Sequence, residues 1–382
     1  MMYNTTMTRL LSAALIFAWG VAACSDSTGN NNNNNGGGPT IVPILFNDDT
    51  GSSLGRLDPS LAYPGGASGG LMAYSSVPSQ QSVHTRVAAS YDGGATWTFL
   101  ADVNFSTADT ITTTDTTVCG ATTCIGTWVH EVPSVVVDTG DFDANRRYKV
   151  FVHSHFVTGT GKVVPQYGNL SMYSAPAGAG PWSAEDRILG WNSASPVSST
   201  GVGQNISTDT ALTGVSNCLL LTEPGAQVRG STIDLAVGCL WYSGTKFPID
   251  IRLLRSTDHG TTWKFVSVLV DTAGANFLGS DRAQINGADL FTVGTNYYLL
   301  ADPQGGTYLG CVELQFSSID AGTLTQITGG PEARRQFHAP AGVGWTPCTA
   351  AAGARQAGIL MGISNPSAAP PFKIVGTLVG PP

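Results

Sequence analysis

The chain has 382 residues, among them 47 glycines, with only 12% charged residues and a formal net charge of −8. So acidic and charge-poor a chain will not neutralise a phosphate backbone, which excludes nucleic acid as a partner, and it lacks the Glu, Lys, Leu and Ala of a helical bundle. Its 42% hydrophobic residues and eight Trp can bury a core, so disorder throughout is excluded too; a Gly-, Thr- and Ser-rich, turn-rich chain is expected to be an extracellular all-β protein.

The N-terminus reads as an address. Arg9 precedes an apolar run, Leu10–Ala23, which is too short to span a bilayer but suits a signal peptide. It ends in Val21-Ala22-Ala23-Cys24, which resembles the lipobox of bacterial lipoproteins. That resemblance implies a signal over residues 1–23 and a lipidated Cys24. Residues 24–39 then form a polar Asn/Gly tether that can bury nothing. The expected location is the bacterial cell envelope, outer membrane favoured, with the membrane reached only through the anchor. Residues 40–382 form the folded domain, expected to be monomeric.

Setting Cys24 aside leaves six of the seven cysteines, an even number suited to an oxidising compartment. Six cysteines allow fifteen pairings; the set proposed is Cys119 with Cys124, Cys218 with Cys239 across a hairpin, and Cys311 with Cys348. No C-x-x-C pair occurs, which argues against a zinc or thioredoxin-type centre.

One motif occurs twice. Ser90, Asp92, Gly94, Thr96 and Trp97, and again Ser256, Asp258, Gly260, Thr262 and Trp263, fit S-x-D-x-G-x-T-W. The physical reading is a tight hairpin turn. The Asp carboxylate accepts backbone N–H bonds, Gly takes a positive φ and Trp packs beneath. The motif resembles the Asp-box, or bacterial neuraminidase repeat, of sialidases and related β-propellers, where such boxes are structural and lie between outer strands of a blade.

Outward from the boxes, alternating strands fall into about five units: Pro59–Ala101, Glu131–Phe156, Cys218–Val270, Ala288–Asp302 and Ala339–Leu378. The last is one strand short, and Ile41–Phe46 is expected to supply it, tying the termini together and removing exposed edges. The expectation is a five-bladed β-propeller. Six blades, the sialidase number, remain an alternative because residues 119–125 and 193–213 are not assigned.

A propeller binds ligands where its innermost strands begin. Candidate residues there are Arg56 and Asp58 before Pro59, Glu131 before Pro133, Asp289, and Arg335 with His338 before Pro340. A polar group followed by Pro resembles the five-bladed glycosidases of the arabinanase and invertase type. The resemblance implies Asp58 as base or nucleophile and Glu131 as acid or pKa tuner, since glycoside hydrolysis uses paired carboxylates. No good match to that family's general-acid motif occurs in the third unit, where Glu223 is the only Glu. The competing reading is that these motifs merely cap strands. A sialidase-like site would instead use Arg56, Arg282 and Arg335 to hold a carboxylate. It would also need a catalytic Tyr in the last blade, and no Tyr follows Tyr308. Trp128, near Glu131, is a candidate sugar-stacking platform. His153 and His155 share a strand face, but without a third ligand nearby in sequence no metal and no cofactor are expected. The functional expectation is a surface protein that binds or hydrolyses glycans, against a non-catalytic interaction module for protein or polysaccharide.

Overall fold

The computed structural model describes residues 42–64, 69–112, 120–191, 201–244, 246–304, 310–324, 335–338, 344–350, 359–365 and 367–377. The signal, Cys24, the tether and Cys119 lie outside them. Blade one is the meander β3 (Gly55–Ala62), β4 (Gly70–Ser79), β5 (Ser82–Ser90) and β6 (Thr96–Asp102). Blade two is β8 (Thr123–Val137), β9 (Tyr148–Thr158), β10 (Val163–Ala175) and β11 (Asp186–Gly190). Blade three is β13 (Leu220–Arg229), β14 (Thr232–Leu240), β15 (Ile249–Ser256) and β16 (Lys264–Val270). In blade four β17 (Gln284–Val293), β18 (Asn296–Gln304) and β19 (Gly310–Ser318) are edged by the short β20 (Thr323–Leu324) and β21 (Arg335–His338). Blade five is β22 (Gly344–Thr349), β23 (Leu360–Ser364) and β24 (Phe372–Gly376).

The fifth blade takes its fourth strand from the other end of the chain. Segment β1 (Val42–Pro43) pairs antiparallel with β24, and β2 (Leu45–Asn47) then runs parallel to β6 at the rim of blade one. The N-terminal segment therefore clasps blade five to blade one, as the missing strand required. Each inner strand packs against the next, β3 on β8, β8 on β13, β13 on β17, β17 on β22 and β22 back on β3, so the ring closes at five.

The described parts of the two segments left unassigned by sequence, residues 120–125 and 201–213, do not make a sixth blade. β8 is long, and its first half pairs outside the ring with β7 (Thr107–Thr112). Residues 204–215 form β12 (Gln204–Asn205), parallel to β11, and a 3-10 turn that buries Leu212 and Val215 between blades two and three.

The core is divided among the blade interfaces. Strand side chains alternate in direction, and a blade has neighbours on both faces, so its strands are apolar on both. In β4, Met72 and Tyr74 pack toward Leu360 and Ile374 of blade five, while Leu71 and Ala73 face Val135 and Val150 of blade two. Similar clusters fill the other three interfaces. Of the disulfides, Cys218–Cys239 lies within blade three, and Cys311–Cys348 joins blades four and five. Cys124 is also disulfide-bonded.

Both repeated motifs form the expected turns, at the β5–β6 and β15–β16 hairpins. Asp92 Oδ1 accepts the Thr96 N–H at 3.0 Å and Asp258 Oδ1 that of Thr262 at 2.8 Å. Gly94 and Gly260 stand at φ 95° and 92°, and each buried Trp donates its indole N–H to that glycine's carbonyl. The two boxes sit on outer strands, away from the channel. The motif thus forms the tight hairpin turn its residues predict, in a ring of five blades.

Candidate active site

The site is built by a backbone irregularity repeated around the ring. In every blade the inner strand carries one extra residue against its neighbour: between Leu57 and Ser60, Glu131 and Ser134, Thr222 and Gly225, Asn286 and Asp289, and Trp345 and Cys348. Such a bulge bends a strand and re-aims its side chains. In blades one to four its first inserted residue has a positive φ: Asp58 at 50°, Val132 at 50°, Glu223 at 48° and Gly287 at 64°. For a residue with a Cβ, and above all for β-branched Val132, this conformation stores roughly 1–3 kcal/mol of strain that the surrounding strands must hold in place.

Asp58 and Glu223 thus occupy equivalent bulge positions in blades one and three, and Glu131 stands one residue earlier in blade two. The three carboxyl groups feel one another. Burial first, then the charges of Asp58 and Glu223, push the Glu131 carboxyl up to about 8. Burial and the Asp58 charge push Glu223 up to about 8 as well, against a hydrogen bond from the Gly287 N–H. A fourth member, Asp302 at the end of β18, is driven well above the carboxylate range by burial, Glu223 and Asp58, and its Oδ1 has no partner. Burial and repulsion from Asp58 therefore hold Glu131, Glu223 and Asp302 toward their protonated forms.

Glu131 and Glu223 line a cavity of about 210 Å3 with His153, His155, Asn286 and Gln304. The Glu131 side chain keeps 26% exposure because it looks into this space. Phe247 supplies an apolar wall. A larger cavity of about 450 Å3 at the opposite end of the channel has, among the described residues of its lining, no carboxylate, imidazole or basic side chain. His153 and His155 stack with ring centres 4.6 Å apart. Burial, and then neighbouring imidazoles, pull His153 well below its usual value and His155 down to about 3, so the 3.7 Å approach of His155 Nε2 to Glu131 Oε1 is made by a neutral ring.

Several residues expected at the channel mouth are engaged elsewhere. Arg56 pairs with buried Asp49, which also binds Arg86 and Tyr74, and its guanidinium lies over Phe46. Trp128 is 6% exposed; its N–H goes to Asp109 and the Arg187 guanidinium covers its ring, so no sugar can stack there. Asp289 accepts the Ala350 N–H at 3.0 Å and ties blade four to blade five, its carboxyl raised to about 7 by burial. Arg282 is 46% exposed beside Asp281, on the loop before β17. Arg335 and His338 belong to β21, an edge strand of blade four, and not to the inner strand of blade five. Glu223, the only Glu of the third unit, joins the channel without a general-acid motif around it, and Asp302 carries no sequence motif. The Glu-Pro dipeptide was the available signal for the first.

The strand-capping reading also has substance, for the serines. Ser60 Oγ accepts the Val135 N–H and Ser134 Oγ that of Ala226, each linking one blade to the next. Gly225 makes no such bond; a Cβ there would meet the Ala288 carbonyl oxygen at 2.3 Å.

No family model and no curated protein matches the sequence. Among solved structures, the chain superposes on a family 117 glycoside hydrolase of the marine bacterium Zobellia galactanivorans with a TM-score of 0.50 and 13% identity, over 88% of this chain and 89% of that one. The GH43_1 enzyme of Xanthomonas citri, solved with xylotriose, gives a TM-score of 0.50 and 12% identity over 88% of both chains. The architecture is therefore that of the five-bladed β-propeller glycoside hydrolases.

Proposed function

We propose that this protein is a glycan-directed hydrolase of the bacterial envelope. Asp58 acts as general base, Glu223 as general acid and Glu131 as the carboxyl that tunes both. The observation that carries the reading is the equivalence of Asp58 and Glu223 on matching strained bulges, with Glu131 between them. A carboxyl held up to about 8 remains protonated at neutral pH and can give its proton to a leaving oxygen. The charge on Asp58 suits it to draw a proton from water on the other side of the sugar ring. A lipidated Cys24 and the tether that follows would hold the propeller clear of a membrane, and the disulfides support an oxidising compartment.

A panel of aryl-glycosides and oligosaccharides tests the reading. Turnover on at least one sugar, reduced by about 10²–10⁴-fold in both Asp58→Asn and Glu223→Gln, supports it. Binding on a glycan array without turnover, and insensitive to either change, would leave a non-catalytic binding module.

A further inference from the structure

We propose that Glu131, His153 and His155 form a binding site for one divalent transition-metal ion of borderline softness, with zinc as its probe. Strand pairing assembles the ligands. Glu131 lies directly opposite His153 across the β8–β9 ladder, and His155, two residues on, shares its face. One ligand atom from each of the three lies within 4.8 Å of the others. Zinc bonds of about 2.0–2.1 Å place tetrahedral ligand atoms roughly 3.4 Å apart, so the 3.7 Å pair of His155 Nε2 and Glu131 Oε1 is near coordination spacing.

A second, independent observation points to a ligand. His153 is 5% exposed, yet its Nε2 has no hydrogen-bond partner, and His155, 2% exposed, turns its Nε2 toward Glu131. His153 Nδ1 lies 3.1 Å from the Thr222 hydroxyl, the outer-shell contact that orients a metal-ligating imidazole and frees its other nitrogen. The cavity in front of them provides room for water or a substrate oxygen at an open coordination position. Two neutral imidazoles and the Glu131 carboxylate, whose proton a bound cation displaces, suit zinc or a similar ion better than calcium or magnesium, which prefer an all-oxygen shell.

Two other groups of potential ligands lack this character. Asp138 and Asp141 already hold the buried Lys149 ammonium at 3.1 and 2.7 Å, and the cysteines beside Asp302 are joined in a disulfide.

The site does not depend on hydrolysis. Metal uptake without turnover would count against the proposed function alone, and turnover without uptake against the metal site alone. The experiment is calorimetric titration of the chelator-treated protein with zinc sulfate, with calcium and magnesium chloride in parallel, followed by X-ray absorption at the zinc edge. The expected result is one zinc per chain, bound at least 100-fold more tightly than calcium, with two imidazoles in its shell. His153→Ala and His155→Ala should each weaken binding at least 100-fold, and Thr222→Val about 10-fold. The proposal is overturned by failure of the unaltered protein to take up one zinc, by a preference for calcium, or by a zinc shell without imidazole. Because uptake and the absorption spectrum are read on the unaltered protein, a variant that fails to fold does not obscure the answer.

Discussion

Asp258 and Glu223 are both carboxyl groups held by their surroundings, with opposite consequences for stability. Slight burial works against Asp258, but bonds from Thr262 and Ser256 outweigh it and hold its carboxyl below the ordinary value of 3.8. A group depressed in the folded state adds stability above its unfolded value, and loses it as pH falls through the folded one. Asp258→Ala should therefore destabilise the fold at neutral pH by about 1–2 kcal/mol, with a difference that shrinks below pH 3.8, read by denaturant melts across pH. Glu223 runs the other way. Its carboxyl keeps a proton up to about 8 when folded and releases it near 4.5 when unfolded. The folded state then binds more protons across that window, so stability falls as pH rises from 4.5 to about 8. Glu223→Gln should flatten the slope of melting temperature over the same range.

At the scale of elements, the bulge on each inner strand determines what reaches the channel. Its Pro was legible in sequence, as Asp58-Pro59 and Glu131-Val132-Pro133, and so was the hairpin chemistry of the two boxes. Glu131 facing His153 was not legible, because that contact depends on register between strands separated by a turn. Asp302 was hidden for a related reason: it lies at the end of a second strand, opposite Asn286, and only the bulged register turns it toward Glu223. Trp128 shows the reverse error, since proximity to Glu131 in sequence says nothing of the Arg187 side chain that covers its ring. The serines of the bulges act between elements. Ser60→Ala and Ser134→Ala each leave a buried N–H of the next blade without its acceptor and should cost about 1–3 kcal/mol by urea melts.

At the scale of the molecule, five interfaces hold the ring, and the chain is discontinuous at the one between blades five and one. There the clasp by β1 and β2 stands in for the continuous chain that joins the other blades, while the Cys311–Cys348 bond ties blade five back to blade four. The disulfide spans 37 residues, for which chain entropy gives about 3–4 kcal/mol, so Cys311→Ala with Cys348→Ala should lower stability by about that much. Closure matters to the site because the bulges converge only when all five inner strands are in contact. The most direct measurement is the rate of glycoside cleavage by the unaltered protein, Asp58→Asn and Glu223→Gln, with their melting curves taken alongside. The expected result is turnover on a sugar substrate that falls by at least about 100-fold in both variants, while their folds persist. Equal turnover in all three proteins, or none in the unaltered one on any substrate, would contradict a catalytic channel built on Asp58 and Glu223.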